Sequence, residues 1–386
     1  MKNERGQAMV LVVFAIIALA AVIGLALDGG RLYQTRREVQ NAADAMAMAG
    51  TRVLASEGCT AGANLENRVC AAIVDFGAQN GVTHDLTAGR IEAWYVNKDA
   101  ARLRNACVGL GVPNGTTGVE VTAQLTQTTT FMRIVGQDDM APAGNAMAMF
   151  GPVVQMGGGI LPIGFPVQRV DDIIGSGNME FTLFEGSGGI CRRDGVDCPS
   201  DPPSNSQRGW LNFNYMYNTD YLGQGAPLER TISKNFSNAD LKEWAEFGCP
   251  HPIFAGTRGA LPPYYSDGDY IVGDPGTRDV TRRTICTTYM NQTVYLPVFD
   301  YIYERGDMQS TFGGQEPSIG WVNSFYYHIV GFLAATIDSC SGGGSNGTID
   351  GTFLYAVVGE GQIDPGDGIG SGTSCLPTLK GVTLWE

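Results

Sequence analysis

A chain of 386 residues is long enough to bury one large core or two ordinary ones. Its net charge of −14 is uneven: residues 1–56 hold six Lys/Arg against four Asp/Glu, and the remainder holds 19 against 35. A body this acidic repels phosphate backbones, which excludes a nucleic-acid partner and leaves contact with lipid to the N-terminal part. Only 17% of residues are charged, while 53 glycines and 18 prolines make the chain rich in turns, a composition suited to an exported β-rich protein.

The first element in chain order is Gln7 to Leu27, a run of 21 residues without a charge. As a helix it spans about 30 Å, the thickness of a bilayer's hydrocarbon core. Gln7, Leu11, Phe14, Leu19 and Leu27 mark this expected membrane anchor. A cleaved signal peptide is the rival reading, but its apolar stretch is shorter, about 7–15 residues, and ends at a small-residue cleavage site. Here the run passes directly into Asp28-Gly29-Gly30-Arg31-Leu32-Tyr33, which continues as helical sequence, so we expect a retained anchor. Flanking charge is nearly balanced and does not orient it.

Val39, Ala42, Ala43, Met46, Ala49, Gly50 and Val53 then recur at helical spacing. One helix is expected over about residues 7 to 56, broken at most near Gly29-Gly30. Its small residues permit close approach either of the chain's own sheet or of another membrane helix, the latter giving a homo- or hetero-oligomer.

Arg5-Gly6-Gln7-Ala8, the apolar run, Asp28-Gly29-Gly30-Arg31-Leu32-Tyr33 and then Arg36-Arg37-Glu38-Val39-Gln40-Asn41-Ala42-Ala43-Asp44-Ala45 together resemble the N-terminal module of TadE/TadG-like proteins of the bacterial tight-adherence (Flp) pilus system. The family pattern falls on Arg5, Gly6, Asp28, Gly30, Arg31, Leu32, Tyr33, Arg37, Gln40, Asn41, Ala42 and Asp44. A weaker likeness extends through Val119 to Thr122 and Thr130 to Gly136, towards residue 150. The resemblance implies a non-enzymatic envelope protein whose partners are the bilayer and other pilus-assembly components. Prepilin processing would cut after Gly6 and require a Glu five residues on, where this chain has Leu11, so a fibre-forming pilin is not expected. Larger relatives carry a metal site of the Asp-x-Ser-x-Ser type; Asp338-Ser339-Cys340-Ser341-Gly342 puts Cys and Gly at the serine positions and does not match it.

Beyond the helix, residues 64–80 read as a short amphipathic helix on Leu65, Val69, Ile73 and Phe76, and Ile91 to Val96, Val119 to Leu125 and Asn145 to Phe150 alternate as strands. The fold class is therefore α+β: a long N-terminal transmembrane helix (residues 1–56), a pilin-like α+β region (57–152), and a β-rich sandwich or barrel-like domain (153–386). Gly157-Gly158-Gly159 reads as a linker or tight turn. The last region reads as strands at Ile160 to Val167, Met179 to Phe184, Trp210 to Tyr217, Thr293 to Tyr303, Phe325 to Ile337 and Thr352 to Val358, with one helix at Asn238 to Phe247.

All nine cysteines follow the apolar run, and their wide spacing without any C-x-x-C points to structural disulfides in an oxidising compartment. Cys191 and Cys198 bracket a short loop and form the easiest local pair. This placement, with the acidic glycine-rich body, argues that the C-terminal side lies outside a bacterial cell membrane.

Little in the chain indicates catalysis. His84, His251 and His328 are the three histidines, and no G-x-S-x-G elbow, H-E-x-x-H helix or phosphate loop occurs. No cofactor is expected. Calcium could be held only by carboxylates such as Asp267-Gly268-Asp269 or Asp364-Pro365-Gly366-Asp367-Gly368, which read better as solvated turns. Two alternatives stay open: a membrane-tethered hydrolase, needing His251 or His328 beside carboxylates in an open pocket, and a sugar-binding adhesin, needing Trp210, Tyr215, Tyr217, Tyr264, Tyr265, Tyr326 or Tyr327 exposed.

Overall fold

The helix that starts in the apolar run does not end with it: α1 is continuous over Arg5–Glu57 in the computed structural model of the protein. The structure describes residues 5–57, 64–83, 90–167, 170, 178–183, 209–218, 228–231, 237–256, 268–273, 278–304, 325–343, 347–354, 356–358, 362–363, 369 and 379–385. Gly29 and Gly30 do not break α1; they cost it about 1 kcal/mol each in propensity, and good helix formers on both sides carry the hydrogen bonds through. Among the described residues of 9–27 only Gly24 is buried, whereas from Thr35 onwards one face is covered.

The chain divides into two compact units: Met1–Phe150 with Asp367–Ser374 and Val382–Glu386, and Gly151–Gly366 with Cys375–Gly381. In the first unit α2 (Leu65–Gln79) lies against α1 through Leu65, Val69, Ile73 and Gly77. Two glycines allow the close crossing: a Cβ on Gly50 would sit 3.0 Å from Ile73, and one on Gly77 would sit 2.8 Å from the Met46 sulfur. The sheet is antiparallel in the order β6 (Ala143–Met156), β3 (Gly118–Gln124), β1 (Ile91–Val96), β2 (Arg102–Asn105). Val119, Val121 and Ala123 of β3 are fully buried, with α1 packed against that strand. On the opposite face Glu120 pairs with Arg102 in a two-bond fork (2.6 and 2.7 Å) and accepts from Asn145 at 2.9 Å. Those bonds, Arg102 foremost, hold the Glu120 carboxyl below its ordinary value. A small hairpin of β4 (Gln127–Thr128) and β5 (Asp139–Met140) is tipped by a 3-10 turn over Met132–Val135.

The second unit holds a mixed sheet of β7 (Phe165–Pro166), β8 (Glu180–Leu183), β9 (Leu211–Asn218), β10 (Leu228–Thr231), β12 (Asp269–Gly273), β13 (Thr293–Glu304), β14 (Phe325–Ser341) and β15 (Thr348–Leu354). The long β13–β14 hairpin lies at its centre, and β7 joins β13 in parallel. Short strands β11 (Ile253–Phe254) and β17 (Gln362–Ile363) pair with the 151–156 end of β6, and β16 (Val357–Val358) runs parallel to the start of β18 (Lys380–Trp385). The core gathers Phe165, Phe181 and Phe353, whose ring centroids lie 4.5–5.5 Å apart. The protein is α+β, as its periodicities indicate.

Among the described residues, two helices cover this sheet. α3 (Asn238–Phe247) begins with a capping box between Ser237 and Asp240. α4 (Asp279–Tyr289) was not legible in the β-like, threonine-rich sequence; it is held by its Cys286–Cys340 disulfide to β14 and by buried Arg282, which binds Asp279 and the carbonyls of Ser341 and Gly342.

Candidate functional site: the seam along the N-terminal helix

The residues of α1 that carry the family pattern do not surround a pocket. Five of them, Asp28, Arg31, Gln40, Ala42 and Asp44, lie on one face of the helix, and that face is fastened to the rest of the first unit by polar side chains at successive heights.

At the lowest contact, the Asp28 carboxylate accepts hydrogen bonds from the backbone N–H groups of Thr130, Phe131 and Met132 at 3.1, 2.7 and 2.8 Å. These donors, Met132 first, hold the Asp28 carboxyl below its ordinary value against the opposing effect of burial, and Arg31 adds to the lowering. Arg31 also donates to the Thr130 hydroxyl at 3.2 Å. One turn towards the N-terminus, Phe131 lies against Gly24, so close that a Cβ there would meet the Phe131 Cβ and Cγ at 2.6 Å. Higher up, Thr35 donates to the Gln127 side chain at 2.6 Å.

Gln40 works as a surrogate strand residue: its amide N–H donates to the Asn145 carbonyl at 2.8 Å and its carbonyl accepts from Asn145 N–H at 3.3 Å. The strand approaches so closely that a Cβ on Gly144 would sit 2.8 Å from the Gln40 backbone. Gln40 also donates to Asp44 at 2.9 Å, which keeps its amide oriented. The uppermost fastening is the buried Thr51 hydroxyl, donating to the Ala148 carbonyl at 3.0 Å and accepting from Val119 N–H at 3.1 Å. Between these bonds Val39, Ala42, Ala43, Met46 and Ala47 are fully buried.

Of the family-pattern residues, then, Asp28, Arg31, Gln40, Ala42 and Asp44 belong to the seam. Leu32 is half-buried; Gly30, Tyr33, Arg37 and Asn41 face outward; Arg5, Gly6 and Gln7 form the first turn of α1. In the apolar run, Leu11, Phe14, Leu19 and Leu27 are all more than half exposed. A cleft beside Asp28 is lined by Arg31, Leu32, Gln127, Thr128, Thr129 and Met140.

A second fastening, unmarked in the sequence, closes the far end of the unit. The Glu66 carboxylate accepts from the N–H groups of Val108, Gly109 and Gly111 at 2.9, 3.0 and 2.5 Å. Cys107, Gly109 and Gly111 all have positive φ, which turns these N–H groups inward. The Cys70–Cys107 disulfide closes the same loop. Tyr95 lies fully buried nearby; burial, and then the Glu66 charge, pushes its phenol up.

The sites that catalysis or sugar binding would need look different. His328 has its Nδ1 2.8 Å from Asp300 and stacks on Tyr270, but it is 0% exposed and so out of a substrate's reach. His251 is half-buried, and His84 lies outside the described residues. Trp210, Tyr326 and Tyr327 are core residues; the side chains of Tyr215, Tyr217, Tyr264 and Tyr265 lie outside the described set. Asp269 corrects the reading of its segment as a solvated turn: it is fully buried and accepts from Phe254 N–H at 2.8 Å. Asp267, Asp364 to Gly368, Cys191 and Cys198 also lie outside the described residues. Among the described residues no group of three His, Cys, Asp or Glu is arranged to hold a metal.

The α+β protein is built on one long helix, apolar and bare for its first half and stitched to its own sheet for its second. Residues 6–56, which are this helix, match the family model for TadE/G-like Flp pilus-assembly proteins. No curated protein and no solved structure matches the chain.

Proposed function

We propose that the protein is a single-pass, membrane-anchored cell-envelope component that acts without catalysis in Flp-type pilus assembly, with both units outside the membrane. The observation that carries this is the coincidence of the family match with α1: the matched segment holds both the apolar span and the seam that fixes the first unit to it. The exposed first half has the length and apolarity to cross a bilayer. Disulfides in both units, Cys70–Cys107 and Cys286–Cys340, suit an oxidising compartment and support the reading in which the C-terminal side lies outside. A stiff helix joining bilayer to body would hold the first unit at a set height for pilus components.

The test is capture of the full-length protein from native membranes, with mass spectrometry of what copurifies. Recovery of pilus-assembly proteins is expected; their absence, with the bait intact and membrane-bound, overturns the assignment.

A further inference from the structure

The hairpin tip at Phe131 sits at a height along α1 that carries a consequence for the membrane. The uncharged run ends at Leu27, and Gly24 lies three residues inside it, about 4.5 Å below its end. At 21 residues the run is about 31 Å long, so it has no length to spare in spanning a hydrocarbon core. Phe131 rests on Gly24 and therefore shares its depth, at the outer edge of the apolar layer.

The tip is built for that depth. Phe131 is 37% exposed and Met132 half-buried, so apolar surface remains uncovered beside bare Leu25 and Leu27. Backbone entering a poorly hydrated layer must satisfy its polar groups internally. The amides of Thr130, Phe131 and Met132 donate to Asp28, Thr129 N–H to Asp138 O, Gly136 N–H to Arg133 O and Gln137 N–H to Met132 O. Asp28, the one carboxylate at this level of α1, keeps its charge hydrogen-bonded to the same three N–H donors rather than facing lipid. Exposed Arg133, 3.0 Å from Asp138, and exposed Arg31 flank the tip at the level of the head groups. Apolar Phe and Met side chains with flanking arginines suit a segment whose apolar face is buried at the boundary of head groups and acyl chains.

We propose that the tip of this hairpin, Phe131 and Met132 with Arg133, is a second membrane-contacting element that inserts into the outer interface of the bilayer and sets the tilt and rotation of the first unit on it. The proposal rests on α1 spanning the membrane. The test places the photo-crosslinker p-benzoylphenylalanine singly at position 131, 132, 19 or 110 in the full chain, reconstituted in vesicles of phosphatidylcholine and phosphatidylglycerol. Leu110 is exposed but sits on the loop clamped by Glu66, near the Arg68–Glu57 ion pair and so about 40 Å up the helix from Asp28. Formation of Cys70–Cys107 in each variant, read by non-reducing mobility, verifies folding. Lipid adducts at 19 and at 131 or 132, several-fold above position 110, support the proposal. Adducts at 19 alone overturn it while leaving the anchor intact, and adducts at none of these positions overturn the membrane-spanning reading and the proposal together.

Discussion

Phe131 packs onto Gly24 with no room between them: the Cβ that any other residue would place at position 24 lies 2.6 Å from two Phe131 carbons. This contact joins the apolar half of α1 to the folded first unit, and it makes position 24 a different kind of glycine from Gly29 and Gly30, where a Cβ meets nothing within 4 Å.

The contrast between these glycines is measurable. Gly30→Ala should stabilise the unit by up to about 1 kcal/mol through helix propensity. Gly24→Ala gains the same propensity but pushes Phe131 away, an overpacking cost of roughly 1–3 kcal/mol. Hydrogen exchange at the amides of Thr130, Phe131 and Met132 should therefore quicken in Gly24→Ala and stay unchanged in Gly30→Ala. Equal protection in both variants would show that the contact does not hold the hairpin.

The Asp28 cage should give the hairpin a pH dependence. Because the folded-state pKa lies below its ordinary value, the stabilisation is complete above that value and is lost as pH falls through the lower, folded one. Protection factors at residues 130–132 should be flat from neutral pH down to the ordinary carboxylate range and then drop. Asp28→Asn, which leaves one acceptor oxygen and no charge, should start lower and show no such drop.

Thr51 offers a test of the seam's upper end. Thr51→Val keeps the shape but leaves Val119 N–H without its buried acceptor, at a cost of roughly 1–3 kcal/mol. Thr51→Ser retains the hydroxyl and should cost less. Denaturant unfolding of the detergent-solubilised chain distinguishes them, and equal midpoints would argue that the hydroxyl is energetically idle.

The Cys70–Cys107 disulfide closes a sequence separation of 37 residues, worth about 4 kcal/mol by loop-closure entropy. Replacing both cysteines with alanine should lower stability by roughly 2–4 kcal/mol and free the loop at Val108 to Gly111. Glu66 would still hold that loop, so adding Glu66→Ala should cost more in the cysteine-free background than in the native one, measured as a double-mutant cycle.

The apolar run, the unbroken helix and the β-rich body were legible because each is written in local periodicity: an uncharged run of fixed length, apolar residues every three to four positions, and alternation in the strands. The family pattern is legible for the same reason, since it lies on one continuous helix. Helix α4 was not, because its stability comes from Cys286 and buried Arg282 meeting partners over fifty residues away, while its threonines locally favour strand. Asp269 reads as a turn residue beside glycine, and only the packing of Phe254 against it makes it a buried acceptor.

By itself, then, the order of residues determined that an apolar helix leads the chain, how long that helix is, and which of its faces is made of small residues. Tertiary structure alone decided what that face meets. Asp28 could have paired with any donor, Gln40 with any strand and Gly24 with any neighbouring helix; their partners at 130–132, 145 and 131 lie about a hundred positions on. Such pairings carry no local signal, since a carboxylate or an amide does not record which backbone will satisfy it. They are set by the register in which β3 and β6 close against α1.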